Sequence, residues 1–280
     1  MGIQVLVDST ADYDSTVAQQ VQVVPLTICF GDEEFIDGVT ITHQQFYEKL
    51  VETDVFPTTS QATPFDFEKK YSTIEATGDK AIVICLSSKL SGTYQSAVTA
   101  AQNHKAIYVI DSNSATIGVG ILVELVLNLI DKGMSIQDIV ATVEEEKNNI
   151  VIVALLDTLE YLKRGGRISA ATAMAGGLLK IKPVVSLVNG EISVLGKARG
   201  SKQGNNLLVQ QINKYGGVDF SKPVMLGYTG LSDALLLKYM KDSQMLWKNH
   251  LDSLPYTSIG SVIGTHAGPG GIAVAFYKRC

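Results

Sequence analysis

Ala81-Ile82-Val83-Ile84-Cys85-Leu86, followed by Ser87-Ser88-Lys89-Leu90-Ser91-Gly92-Thr93, is the stretch that decides the fold class. An unbroken apolar run rich in β-branched side chains reads as a strand buried on both faces. The hydroxyl- and glycine-rich turn after it leads into a helical pattern over Thr93–Asn103. Outward from this unit, Val5–Val7, Val23–Ile28 and Ile107–Ile110 read as further buried strands. Helical patterns lie between them at Thr42–Glu52, Pro64–Ile74, Thr116–Lys132 and Ser135–Lys147. Thr42 with Gln45 makes a capping box, Pro64 is placed to open a helix, and Ser135 with Asp138 resembles the same kind of start. Alternating strands and helices predict an α/β fold whose N-terminal sheet is parallel with helices on both faces.

The second half has a different pattern. Pro183–Leu195 holds two β-rich runs around Asn189-Gly190, a type I′ hairpin signal. Val224–Tyr228, Ser258–Ile263 and Ile272–Tyr277 read as strands, with helices over Leu207–Lys214 and Ser232–Leu251. A mixed α/β sheet follows. The polar stretch Glu144–Asn149 places a boundary that divides the chain into an N-terminal α/β domain, 1–150, and a C-terminal mixed α/β domain, 151–280.

Composition narrows the class. The chain has 280 residues, of which 46% are apolar and 18% charged, enough apolar surface to exclude a disordered or fibrous protein. Net charge is −5, which argues against a general nucleic-acid binder but leaves room for a local basic patch. Cys29, Cys85 and Cys280 are too widely spaced for a disulfide framework or a zinc pattern and read as reduced thiols. Met1-Gly2-Ile3-Gln4-Val5 runs into a strand with no basic leader, and the apolar stretch Ile117–Ile130 is interrupted by Glu124. A soluble, cytoplasmic protein without a transmembrane segment is expected.

Five features carry candidate chemistry. Ser87–Thr93 brings hydroxyls and free backbone N–H groups to a helix start at a strand's carboxyl end, an anion site unless it is a plain helix cap. Thr58-Thr59-Ser60-Gln61-Ala62-Thr63-Pro64 repeats that character, with capping by Thr63 as its structural alternative. Two such loops at one sheet edge, with little fixed charge, suit a single small anion such as a carboxylate. Asp8 and Asp111 also end strands, where a base or metal ligand competes with the commoner role of orienting turns. In Gly264-Thr265-His266-Ala267-Gly268-Pro269-Gly270-Gly271, His266 reads as exposed on a glycine-rich loop after a strand. Gly268-Pro269-Gly270 with Ala273 fits the dinucleotide fingerprint formally, but no helix follows to hold a pyrophosphate. Finally, Lys163, Arg164, Arg167, Lys180, Lys182, Lys197, Arg199 and Lys202 face one acid, Glu191, an asymmetry that fits either a solvated face or an anionic partner. No P-loop, HExxH or GxSxG motif is present. Trp247 reads as packing.

Five segments occurring in order resemble one family: Asp8-Ser9-Thr10-Ala11-Asp12, Thr59-Ser60-Gln61, Leu90-Ser91-Gly92-Thr93-Tyr94-Gln95-Ser96-Ala97, Arg164-Gly165-Gly166-Arg167-Ile168 and Gly264-Thr265-His266-Ala267-Gly268-Pro269-Gly270. Together they resemble the DegV family of bacterial lipid-binding proteins over nearly the whole chain. The resemblance implies a two-domain fold holding a long-chain fatty acid between the domains. It also implies a non-catalytic subunit of a fatty acid kinase that supplies phospholipid metabolism. A separate ATP-dependent kinase subunit would phosphorylate the bound carboxylate, so no cofactor of the chain's own is implied. Thr59, Ser60, Ser91, the Gly92 N–H and His266 would hold the carboxylate. Arg164, Arg167, Arg199 and Lys202 would face the partner, with transient contact to a membrane surface and none to nucleic acid. The chain departs from the family pattern at Ala62-Thr63, where proline and serine often follow the glutamine. Two alternatives stand beside this reading. One is a serine hydrolase of a lipid or ester built from Ser91, His266 and Asp111. The other is a regulatory module that uses the basic segment, for which salt-sensitive RNA binding would be the mark.

Overall fold

A computed structural model describes residues 2–169 and 181–279. Lys180 and Cys280, singled out above, lie outside the described residues. The strands are β1 (Ile3–Asp8), β2 (Val21–Val24), β3 (Thr27–Phe30), β4 (Glu33–Ile36), β5 (Thr58–Ser60), β6 (Lys80–Cys85), β7 (Ile107–Asp111), β8 (Ile150–Leu155), β9 (Ile181–Val188), β10 (Glu191–Arg199), β11 (Val224–Tyr228), β12 (Tyr256–Ser258) and β13 (Ile272–Tyr277). The helices are α1 (Ser15–Ala18), α2 (His43–Glu52), α3 (Pro64–Ala76), α4 (Thr93–Ala100), α5 (Ile117–Asp131), α6 (Ile136–Glu146), α7 (Glu160–Arg164), α8 (Gly200–Lys214), α9 (Ala234–Asp242), α10 (Gln244–Trp247) and α11 (Ser261–Ala267).

The N-terminal sheet is parallel, in the order β2-β1-β6-β7. Period-two alternation splits its side chains between two cores. Leu6, Ala81 and Val83 meet Phe67, Tyr71 and Ile74 of α3 on one face. Val5, Val7, Ile82 and Ile84 meet Leu122 and Val126 of α5 and Ile139 and Val143 of α6 on the other. The helix starts follow the sequence signals. Thr42 and Thr63 each accept from the third helical N–H in reciprocal capping boxes, with Pro64 opening α3. A cap of this kind stabilises by about 1 kcal/mol.

The C-terminal sheet is mixed, in the order β10-β9-β8-β13-β11-β12, with only β11 and β12 parallel. Asn189 and Gly190 both have positive φ, 53° and 81°, as a type I′ turn requires. One face packs on α8 and α9, with Trp247 at 0% exposure beside Tyr239. The other face meets Ile117 and Ile121 of α5. In return, Val262 of α11 enters the core of the first half, beside Phe46 and Tyr47, and the Tyr47 hydroxyl donates to the Ile259 carbonyl at 3.0 Å. Each half thus contributes a helix to the other's interior.

Four expectations are corrected. Val23–Ile28 is not one strand: Pro25, which has no N–H to offer a ladder, separates β2 from β3, and β3 belongs to a small antiparallel sheet, β4-β3-β5. Thr58–Ser60 is therefore a strand of that sheet, not a loop at the parallel edge. Ser258–Ile263 is strand only at Ser258. Ser261, Val262 and Thr265 are buried at helical spacing in α11. Ser232–Leu251 is broken at Ser243, whose hydroxyl donates to the Tyr239 carbonyl at 2.6 Å and accepts from the Trp247 indole at 3.0 Å. The apolar run of β8 adds a strand the sequence reading did not assign. Among the described residues no helix is long and apolar enough to cross a membrane.

Candidate functional site

A cavity of about 420 Å³ lies between the carboxyl edge of the parallel sheet and the α5-facing side of the mixed sheet, within the range of roughly 300–1,000 Å³ for small-molecule sites. Its body is apolar, lined by Leu86, Ile152, Ala154, Val185, Leu187 and Ala273. Thr59, Ser60, Ser91, Gly92 and His266, five residues from three distant segments, all line it.

Thr59 reaches the cavity because β5 pairs it with Ile28. Its Oγ1 lies 2.9 Å from Nε2 of His266. His266 sits in the last turn of α11, largely buried rather than on an exposed loop as its sequence suggested. The glycines after it end the helix: Gly268 has φ 71°, and its N–H bonds to Gly264. Burial first, and then the charge of Arg167, push the imidazole pKa down to about 4, so it is neutral at physiological pH. Nδ1 is packed against Gly165 without a hydrogen-bond partner. The tautomer protonated on Nε2 avoids an orphaned buried N–H, donates to Thr59, and frees the Thr59 hydroxyl proton for another acceptor.

Ser91 and Gly92 form the turn before α4, where the N-cap residue, Gly92, has no side chain to cap the helix. The Ser91 Oγ lies 3.0 Å from Thr93 Oγ1 and accepts from the Thr93 N–H at 3.3 Å. A side chain at Gly92 would collide with Gln61, whose amide donates to Ser96 at 3.0 Å. Gln61 also lines the cavity.

Arg167, grouped with outward-facing cations by its neighbours in sequence, turns inward. It lines the cavity and donates to the carbonyls of Leu90 at 3.1 Å and Gly165 at 2.6 Å. Burial lowers its pKa, and it forms no ion pair among the described residues. A half-buried guanidinium met by carbonyls alone among the described residues retains capacity for an anion. The spacing of charges in the sequence carries no signal for this reversal. Arg164 does face outward, paired with Glu160 at 2.9 Å and lying 5.1 Å over the Phe56 ring. Arg199 and Lys202 are exposed at the start of α8.

The hydrolase constellation does not assemble. Asp111 accepts from the N–H groups of Ser88 and Asn113, at 3.2 and 3.1 Å, and neither it nor Ser91 bonds to His266. Asp8 ties two strand ends together, accepting from the Thr10 N–H at 3.0 Å and the Leu86 N–H at 2.8 Å. Among the described residues no three of His, Cys, Asp and Glu gather to hold a metal ion.

A third carboxylate joins the cavity's walls. Asp12, 4% exposed, accepts from the Thr116 hydroxyl at 2.5 Å and from the Gly260 N–H at 2.9 Å. Thr116 lines the cavity at φ 50°, ψ −130°, outside the allowed regions for a β-branched residue. Such backbone strain costs about 1–3 kcal/mol and persists only where surrounding structure enforces it.

A family model described as an uncharacterised protein, DegV family, matches residues 2–279. The DegV domain-containing protein TTE1491 of Caldanaerobacter subterraneus is 34% identical over 283 residues, covering 99% of each chain. Among solved structures, one described as fatty acid binding of a DegV family protein from Thermus thermophilus shares 30% identity and the full length of both chains at a TM-score of 0.86. Another, of DegV, a fatty acid binding protein from Bacillus subtilis, shares 28% identity and the full length of both chains at a TM-score of 0.81. The chain belongs to the DegV family.

Proposed function

We propose that this protein binds a long-chain fatty acid, buries its tail in the cavity and presents the carboxylate to a separate ATP-dependent kinase subunit for acyl-phosphate formation. The observation that carries the reading is an apolar cavity with hydroxyls, a neutral imidazole and one guanidinium gathered on its lining. The fatty acid binding described for the Thermus and Bacillus relatives supports it.

Energetics divide the work. A tail of about sixteen carbons contributes on the order of 12 kcal/mol gross at roughly 0.8 kcal/mol per buried CH₂. Association and ordering remove a large part of that. Each headgroup hydrogen bond to a carboxylate adds about 1.5–3 kcal/mol before desolvation. The tail sets affinity, and the polar groups set orientation. Because His266 is neutral, the charge of the carboxylate falls to Arg167 and the donors Thr59, Ser60, Ser91 and the Gly92 N–H. Orientation matters when a carboxylate oxygen must meet a γ-phosphate in line. ATP and magnesium belong to the partner in this scheme, which meets the face carrying Arg164, Arg199 and Lys202. The two lobes are the halves 1–150 and 151–280.

Mass spectrometry of an organic extract of the purified protein tests the reading. A stoichiometric long-chain fatty acid, converted to acyl phosphate when kinase subunit and ATP are added, is the expected result. Protein that is lipid-free and takes up no fatty acid from a supplied mixture would overturn it.

A further inference from the structure

The acidic residue that closes Asp8-Ser9-Thr10-Ala11-Asp12 has no place in the headgroup scheme, yet it touches Thr116 of the cavity wall and Gly260, next to the wall residue Ile259. The carboxylate of Asp12 spans segments that are 104 and 248 residues away in sequence. On one side it holds the Thr116 hydroxyl, whose backbone is strained where it lines the cavity. On the other it takes the N–H of Gly260, the N-cap residue of the helix that carries His266. The carboxyl group of Asp37 also lies at the start of that helix, beside Ser261. The neighbouring backbone leaves little slack. A Cβ on Gly260 would press on Asp12 and His43, and one on Gly264 would collide with Tyr47 and Phe46. The angle and height of α11, and with them the position of the imidazole, are therefore set in part by this carboxyl group, alongside the Tyr47–Ile259 bond and the packing of Val262.

We propose that Asp12 is a positioning residue for the headgroup end: acting through Gly260 on the helix of His266 and through Thr116 on the cavity wall, it sets the preference for an acid over an uncharged head on the same tail. This deepens, and rests on, the fatty-acid reading above. Burial pushes the Asp12 carboxyl up to about 8, with Asp37 and Asp8 adding to the effect. The protonated group still accepts from Gly260 while its own O–H can donate to Thr116. Asparagine reproduces that pattern, with its amide N–H₂ in place of the O–H.

The test compares palmitic acid with cetyl alcohol, which share a tail, by displacement of a fluorescent fatty acid from the wild type, Asp12→Ala and Asp12→Asn. Asp12→Ala is expected to weaken the acid about tenfold while moving the alcohol little, and Asp12→Asn to restore most of the difference. Thr116→Val, which removes only the hydroxyl, is expected to fall between them. Equal weakening of acid and alcohol in Asp12→Ala marks a merely structural role and overturns the proposal, as does failure of Asn to rescue. A second readout needs no lipid. The ¹⁵N signals of His266 report its tautomer and titration in the empty protein, and Asp12→Ala should move both while leaving those of His104 unchanged. An unchanged His266 overturns the proposal. A wild type that binds neither probe overturns the fatty-acid reading, and the His266 signals still decide the role of Asp12. If Asp12→Ala fails to fold, Asp12→Asn and Thr116→Val carry the comparison.

Discussion

Two histidines in this molecule are driven in opposite directions by their surroundings. His266 faces the cavity with one nitrogen on a threonine hydroxyl, the other on no partner, and a guanidinium nearby. His104 lies between two acids, with Nδ1 2.8 Å from Glu75 and Nε2 3.0 Å from Glu68, and its ring against Tyr71. Burial favours the neutral form of both. At His266 nothing opposes it, whereas at His104 the hydrogen bonds and charges of Glu75 and Glu68 outweigh it and raise the pKa. The contrast separates a side chain kept neutral beside a cavity from one held between two acids that favour its protonated form, linking α3 to the turn after α4.

The contrast can be broken most forcefully at His266. His266→Ala should lower acyl-phosphate formation about a hundredfold through misplacement of the carboxylate, while lipid affinity falls only a few-fold. Equal losses in a kinase assay and a binding assay would remove His266 from the orienting role. Next in size, Thr59→Val removes the hydroxyl that meets Nε2 and should weaken fatty acid binding about tenfold, read by displacement titration. An unaltered affinity would show that Thr59 serves only the imidazole.

Stability against pH sharpens the same comparison. A lowered histidine pKa stabilises the fold above the unfolded value near 6.5, and that contribution is lost as pH falls toward about 4. His266→Gln should therefore flatten the acid side of a chemical-denaturation profile, by no more than about 3 kcal/mol. A raised pKa has the reverse sign. The contribution of His104 is present below pH 6.5 and fades as pH rises through its folded value. His104→Gln should remove less than about 1 kcal/mol, and only on the low-pH side, because its acids are partly solvated. Parallel profiles for the two variants would erase the distinction.

What could be read in advance was local chemistry. Thr42 with Gln45, Thr63 with Pro64, and Asn189-Gly190 carry their own geometry, because caps and tight turns are settled within a few residues. The run Ser258–Ile263 misled because Ile259, Val262 and Ile263 are β-branched, and their helical spacing is too short to outweigh that propensity. The same limit applied at Thr58–Ser60, whose strand exists only because β3 lies beside it. The hydroxyl and imidazole members of the candidate site were visible as residue types. The inward turn of Arg167 and the two distant partners of Asp12 were not, since both are products of tertiary packing over long separations in sequence.

With α5 seated beneath the second sheet and α11 sunk into the first half, the walls of the cavity are woven together. A clamshell opening about a single hinge would tear Ile117 and Ile121 from one interior or Val262 from the other. For the proposed acyl ligand, exchange through the rim of the cavity would leave this interlocked frame intact.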